Sequence, residues 1–214
     1  MAQVAPRQMW ISEQTLDFGL PTYVGKLPYP NQVFSSHIFA TLLEPPWQAP
    51  KPEYATPLTL LRDQAKTAGG APWVGEIGSN PGTVGTAWSG REMNELEKYL
   101  LGWAYWDWDQ KGSWAFIRQP ARLKLVARAY PKATPGNLTK LSYDPATGEL
   151  QVDFQGLTRG RPLLIAVPYF LTGYQVSGSD PAADVSSQLS RSHHTLSITI
   201  HDQRTSHRVK VSFS

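Results

Sequence analysis

Pro72-Trp73-Val74-Gly75-Glu76-Ile77-Gly78 reads as a short buried strand that ends on a carboxylate. Trp73, Val74 and Ile77 favour a pleated, buried setting, where rings and branched side chains pack well. Gly75 and Gly78 leave room for another backbone or a ligand to approach. Glu76 then stands at the carboxyl end of an apolar strand, the place where parallel α/β sheets carry their chemistry. Taken alone, the same residues also fit a solvated strand-end glutamate with no role.

The flanking residues supply a parallel context. Upstream, Pro57 suits a first helical turn, Leu58, Leu61 and Ala65 share a face, and Gly69-Gly70 stops the pattern, so residues 57–68 predict a helix. Residues 8–16 and 32–40 predict strands, the first carrying Glu13 near its end and the second His37 and Phe39. Gly- and Pro-rich residues 18–31 and 44–56 predict loops. Downstream, residues 79–88 predict a Gly-rich loop without a phosphate-loop lysine. Ser89-Gly90-Arg91-Glu92 has the form of a capping box, opening a helix with Met93, Leu96 and Leu100 inward and Gly102 at its end. Residues 103–109 predict an aromatic strand, Trp106 and Trp108 on one face, Tyr105 and Asp107 on the other. The order β, β, α, β, α, β implies parallel strands joined by crossovers.

After residue 121 the pattern changes. Residues 138–154 alternate apolar and polar around Pro145-Ala146-Thr147-Gly148, a hairpin signature. Residues 161–170, 174–178, 194–202 and 207–213 predict further short strands, together an antiparallel β-sandwich. Residues 122–137 are expected to join the parts. The division is an α/β domain over 1–121 and an all-β domain over 122–214.

Composition narrows the function. The chain has 214 residues, eight tryptophans, no cysteine and a formal net charge of +3. That length is ample for a core. Disulfides, thiolate metal sites and cysteine catalysis are excluded. Lys and Arg are scattered, so nucleic acid is not an expected partner. No run is apolar enough to span a membrane and the start lacks a signal core, so a soluble, cytoplasmic protein is expected. A secreted protein lacking its leader would read the same. No His, Asp or Glu cluster has ligand spacing, so neither a metal nor another cofactor is expected.

Gly75-Glu76-Ile77-Gly78 resembles the nucleophile strand of family-five glycoside hydrolases, which are (β/α)8 barrels. Phe34-Ser35-Ser36-His37-Ile38-Phe39 is similar to their sixth strand, an apolar run ending in His-x-Tyr, with Phe39 in place of Tyr. Trp103-Ala104-Tyr105-Trp106-Asp107-Trp108 looks like their eighth strand, whose tryptophan lines the sugar site. The likeness within the family is to endoglycoceramidases. It extends to Gly19-Leu20-Pro21-Thr22, Leu27-Pro28-Tyr29-Pro30-Asn31 and Arg128-Ala129-Tyr130-Pro131-Lys132-Ala133-Thr134-Pro135-Gly136, the last leading into a C-terminal sandwich. The family places its acid/base in an Asn-Glu pair on the fourth strand. Here the sole Asn-Glu pair, Asn94-Glu95, follows Glu76. In that register the chain begins at the fifth strand and holds a half-barrel plus sandwich. An open half-barrel exposes edges and an apolar inner face, so assembly with itself or with a missing half is expected.

The resemblance implies a retaining β-glycosidase with Glu76 as nucleophile. Such an enzyme sets two carboxyl groups roughly 5–5.5 Å apart. Glu13 is the candidate acid/base, or else a group that binds a sugar hydroxyl. Asp107, Asp109 and a partner's Glu44 are weaker candidates. His37 either orients Glu76 or binds a hydroxyl. Phe39, Trp106, Trp108, Trp47 and Trp88 are candidate walls of a sugar site, Trp106 its platform; an aromatic strand is equally good core. His193-His194 reads as a solvated strand end. Three functions stay open: a homo-oligomeric glycosidase acting on small β-glucosides or β-galactosides, a non-catalytic carbohydrate-binding protein, and the inert half of a split enzyme.

Overall fold

The computed structural model describes residues 8–13, 25–26, 28, 31–38, 55–78, 83–106, 119–202 and 204–214. Most of the two expected loops, 18–31 and 44–56, and the expected strand ends at 14–16, 39–40 and 107–109 lie outside these residues. The chain forms two compact units, Met1–Leu123 and Lys124–Ser214.

The first unit holds β1 (Trp10–Glu13), β2 (Gln32–Ile38), α1 (Ala55–Ala68), β3 (Ala71–Ile77), α2 (Thr83–Lys98) and β4 (Gly102–Tyr105). The strands lie in chain order, β1-β2-β3-β4, and every pairing is parallel. It is half of a (β/α)8 barrel. On α1, Leu58, Leu61, Ala65 and Ala68 are fully buried, one stripe at helical spacing. Each leucine so buried contributes about 1.5–3 kcal/mol. Gly69 ends the helix at φ +80°, and the Gly70 N–H donates to the Ala65 carbonyl at 2.9 Å.

Helix α2 corrects the sequence reading. It starts at Thr83, so Ser89 is not its cap and Trp88 is not on a loop. Trp88 and Ser89 are buried with Met93 and Leu96. Ser89 is a buried hydrogen-bonding centre instead. Its single hydroxyl proton goes to the Gly85 carbonyl at 2.9 Å, so Tyr105 O–H at 2.8 Å and Arg122 Nε at 3.0 Å donate into its lone pairs. A capping signature cannot distinguish the start of a helix from a polar side chain that later neighbours satisfy inside one. Gly102 likewise does not end the helix. Leu100 takes the left-handed turn at φ 56°, and Gly102 opens β4 because the Trp73 ring packs where its side chain would stand.

The second unit is the expected sandwich. Strands β5 (Tyr130–Ala133), β8 (Leu163–Ala166), β10 (Val185–Ser190) and β11 (Thr195–Ile200) form one sheet, order β10-β11-β8-β5. Strands β6 (Asn137–Asp144), β7 (Glu149–Gln155), β9 (Tyr174–Gly178) and β12 (Ser206–Phe213) form the other, order β6-β7-β12-β9. Alternate residues point inward: Leu150, Val152 and Phe154 from β7, Leu163 and Ile165 from β8, Leu196 and Ile198 from β11. The β6–β7 turn is closed by Asp144, whose Oδ1 accepts the Ala146 N–H at 2.8 Å, with Gly148 at φ +70°. Residues 122–137 do more than join: most of α3 (Pro120–Val126) and all of β5 fall there. Strand β10 was also unforeseen, since its Ser-rich sequence has few apolar residues to alternate. His193 is exposed in the β10–β11 turn, where its Nδ1 lies 2.9 Å from Ser190 Oγ.

Candidate active site

Strand β2 supplies the floor of the site. Its helix-facing side buries Gln32, Phe34, Ser36 and Ile38, which leaves Val33, Ser35 and His37 on the opposite face. Glu13 of β1 stands beside Ser35 in the parallel register. The Ser35 hydroxyl donates to Glu13 Oε1 at 3.1 Å, and His37 Nε2 approaches the same oxygen at 2.5 Å.

Glu76 arrives by an irregularity that alternation does not foresee. In an even strand Glu76 would share the face of Val74, which is fully buried. The register instead pairs Ser36 with Val74 and His37 with Glu76, two residues of β3 against one step of β2. On the other side, Val74 and Ile77 pair with Trp103 and Tyr105, again one extra residue on β3. The extra residue is a bulge at Gly75, and it turns Glu76 to the face of His37. His37 Nδ1 then lies 3.4 Å from Glu76 Oε2. A side chain at Gly75 would force its neighbours to shift: a Cβ there would stand 2.9 Å from Glu13 Oε1 and 3.1 Å from His37 Cδ2, and closer still to Ser35 Oγ. Three neighbouring strands thus converge on one arrangement, a histidine between two glutamates.

Trp106 follows β4 and extends the ladder, its N–H donating to the Ile77 carbonyl at 2.8 Å. Gly78 allows this approach, since a Cβ there would overlap the Trp106 carbonyl oxygen. Trp106 is 54% exposed. By alternation from Tyr105, which turns to Ser89 of α2, Trp106 belongs to the face of Glu76. Trp88 lies inside α2 and is buried. Phe39, Trp47, Trp108, Asp107, Asp109 and Glu44 lie outside the described residues. No group of three or more His, Asp or Glu side chains among the described residues is placed to hold a metal ion. No helix among them is long and apolar enough to cross a membrane.

Sequence reasoning named Glu76, Glu13 and His37 and missed Ser35, the bulge and the Trp73–Gly102 contact. Two adjacent serines in an otherwise apolar strand were the signal for Ser35.

Residues 128–211 match the family model described as glycoside hydrolase family 5 C-terminal domain. The chain resembles the C-terminal half of a family-five glycoside hydrolase. Among solved structures, the fold is similar to endo-glycoceramidase II from Rhodococcus sp. in its lactosyl-enzyme form. There the TM-score is 0.70 at 17% identity, over 100% of this chain and 51% of that one. The ganglioside GM3 complex of the same enzyme gives 0.61 at 19% identity, over 92% and 46%. Sterylglucosidase 1 from Cryptococcus neoformans gives 0.67 at 12% identity, over 99% and 42%. At these identities the likeness is one of fold, a half-barrel followed by a sandwich. The chain spans about half the length of these relatives. No curated protein matches the sequence.

Proposed function

We propose that the chain carries the nucleophile half of a retaining β-glycosidase. The observation behind this reading is the Gly75 bulge, which sets Glu76 at a strand end beside His37 in a sheet shaped like half of a family-five barrel. A structural carboxylate needs no such device. The Glu76 carboxylate attacks the anomeric carbon as the bond to the leaving oxygen breaks, and that oxygen takes a proton from an acid. Water then cleaves the glycosyl-enzyme and returns Glu76 to its carboxylate. Trp106 offers an exposed ring beside the site for a sugar face. Small β-glucosides or β-galactosides, whose rings can stack on the exposed Trp106, are the proposed substrates.

Among the described residues β1 is an edge strand, and this, with the exposed Met9 and Ile11, favours a second element of the reading. The half-barrel acts when further strands close it, supplied by a second copy of this chain or by the rest of a barrel. A closing interface of this kind should bury above roughly 2,000 Å² in total.

Turnover of aryl β-glycosides tests the function, because an activated leaving group needs little protonation. Glu76→Gln keeps the shape and removes the attacking charge. Turnover should fall at least about a thousandfold, roughly 4 kcal/mol of barrier. A 2-fluoro glycoside should label Glu76, as read by mass spectrometry. Turnover in Glu76→Gln within about tenfold of the parent would refute the assignment. Sedimentation run beside the assay should find activity in the self-associated species. An inactive chain that still binds glycosides would instead favour the non-catalytic reading.

A further inference from the structure

Glu13 Oε1 takes two contacts at once, the Ser35 hydroxyl at 3.1 Å and His37 Nε2 at 2.5 Å. The other ring nitrogen of His37 faces Glu76 Oε2 at 3.4 Å. Ser35 is 1% exposed and sits opposite Glu13 in the β1–β2 register, so its hydroxyl is held by the sheet. Gly75 leaves the space in which Ser35 Oγ, Glu13 Oε1 and His37 meet. A neutral imidazole has one N–H and serves one carboxylate; an imidazole protonated on both nitrogens serves two. Glu13 is also badly set for the acid/base role. Its contacting oxygen already accepts the Ser35 hydroxyl and lies 2.5 Å from His37 Nε2. The ring of His37 fills the gap toward Glu76, where a scissile bond would lie between paired carboxylates.

We propose that Glu13 is a positioning residue. Anchored by Ser35, it holds the His37 ring in plane from the Nε2 side, and the ring's other nitrogen faces Glu76 and so fixes the attacking carboxylate. Ser35 and Gly75 belong to the same device, the serine as anchor and the glycine as the gap that admits it. This rests on the reading of Glu76 as nucleophile. The acid that protonates the leaving oxygen is then a different group.

Two variants of the full chain test it, Glu13→Gln and Ser35→Ala. In Glu13→Gln, kcat should fall about 10–100-fold, the usual cost of losing an outer partner of a working residue. KM should stay within about threefold, and the loss should be equal for aryl glycosides with good and poor leaving groups. Added azide should restore nothing. Ser35→Ala should give a smaller loss in the same pattern. Proton–nitrogen spectra of the histidine rings supply a readout that needs no turnover. The hydrogen-bonded Nε2–H of His37 should resonate far downfield in the parent and lose that position in Glu13→Gln. Azide rescue, or a loss that steepens with poorer leaving groups, would make Glu13 the acid/base and overturn the proposal. An unchanged Nε2–H resonance in Glu13→Gln would overturn it too. Absence of glycosidase activity in the parent would count against the Glu76 reading and not against the Glu13–His37 contact, which the spectra decide.

Discussion

Replacing Gly75 by alanine places a methyl group where three side chains already meet. It would stand within overlap of Ser35 Oγ, 2.9 Å from Glu13 Oε1 and 3.1 Å from His37 Cδ2. Ser35 is buried within the sheet, whereas Glu13 is 46% exposed and can swing outward. The expected response is that the Ser35 hydroxyl rotates off the new methyl and Glu13 turns outward, so the hydrogen bond between them is lost. A hydrogen bond to a charged group contributes about 1.5–3 kcal/mol, and overpacking a filled site costs about 1–3 kcal/mol. Relaxation of Glu13 relieves part of the second cost. The lower backbone entropy of alanine in the unfolded chain offsets about 0.4–1 kcal/mol. A net loss of about 2 kcal/mol follows from these ranges. Urea unfolding followed by tryptophan fluorescence measures it selectively, because all eight tryptophans fall within Met1–Leu123. The midpoint should drop by about 1 M, given urea slopes of about 1–3 kcal/mol/M. The sandwich, followed by its amide resonances, should not move. Adding Ser35→Ala removes the atom nearest the new methyl, so the two changes should couple favourably by about 1 kcal/mol. A fluorescence midpoint within about 0.2 M of the parent, with no coupling, would refute the claim that the bulge depends on the missing side chain.

Three further outcomes are expected. Burial would raise the Asp153 carboxyl, but hydrogen bonds from Arg208 and Gln151 more than offset it and hold the group below the ordinary carboxylate range. Its stabilising effect is therefore complete above the unfolded carboxylate value of about 3.9 and is lost as pH falls through the folded value. Asp153→Asn should flatten the acid limb of sandwich stability while costing no more than about 1 kcal/mol at neutral pH, measured by thermal unfolding across pH. Arg122 is fully buried, donates to Ser89 Oγ and Gln119 Oε1, and lies over the Tyr105 ring at 5.7 Å. Arg122→Ala should cost about 3–5 kcal/mol in the fluorescence-detected transition, and a loss under about 1 kcal/mol would show that these partners find others. Trp106→Ala should raise KM for aryl glycosides by about tenfold or more, a stacking contribution of roughly 1–1.5 kcal/mol, with little change in unfolding midpoint because the ring is exposed.

Local pattern alone specified much of this protein. Helix α1 was legible because Leu58, Leu61 and Ala65 recur at the helical period and Gly69 can adopt the left-handed turn that stops it. The β6–β7 hairpin was legible because Pro145-Ala146-Thr147-Gly148 carries its turn chemistry within four residues, with Gly148 at positive φ. In the first unit the parallel strands in chain order followed from the same short-range rules, and the carboxylates at the ends of β1 and β3 followed with them.

Tertiary structure decided what depends on a neighbour. Whether Ser89 caps a helix or is buried within one depends on Tyr105 and Arg122, which reach it from elsewhere in the chain. Gly102 is small because Trp73 lies across it, a contact set by the β3–β4 register. Above all, the face on which Glu76 emerges is not a property of β3. Alternation along the strand turns it toward the buried face of Val74, and only a register with one more residue on β3 than on β2 and β4 brings it to His37. A sequence records which side chains can make a site; pairing between strands chooses the side of the sheet on which they meet.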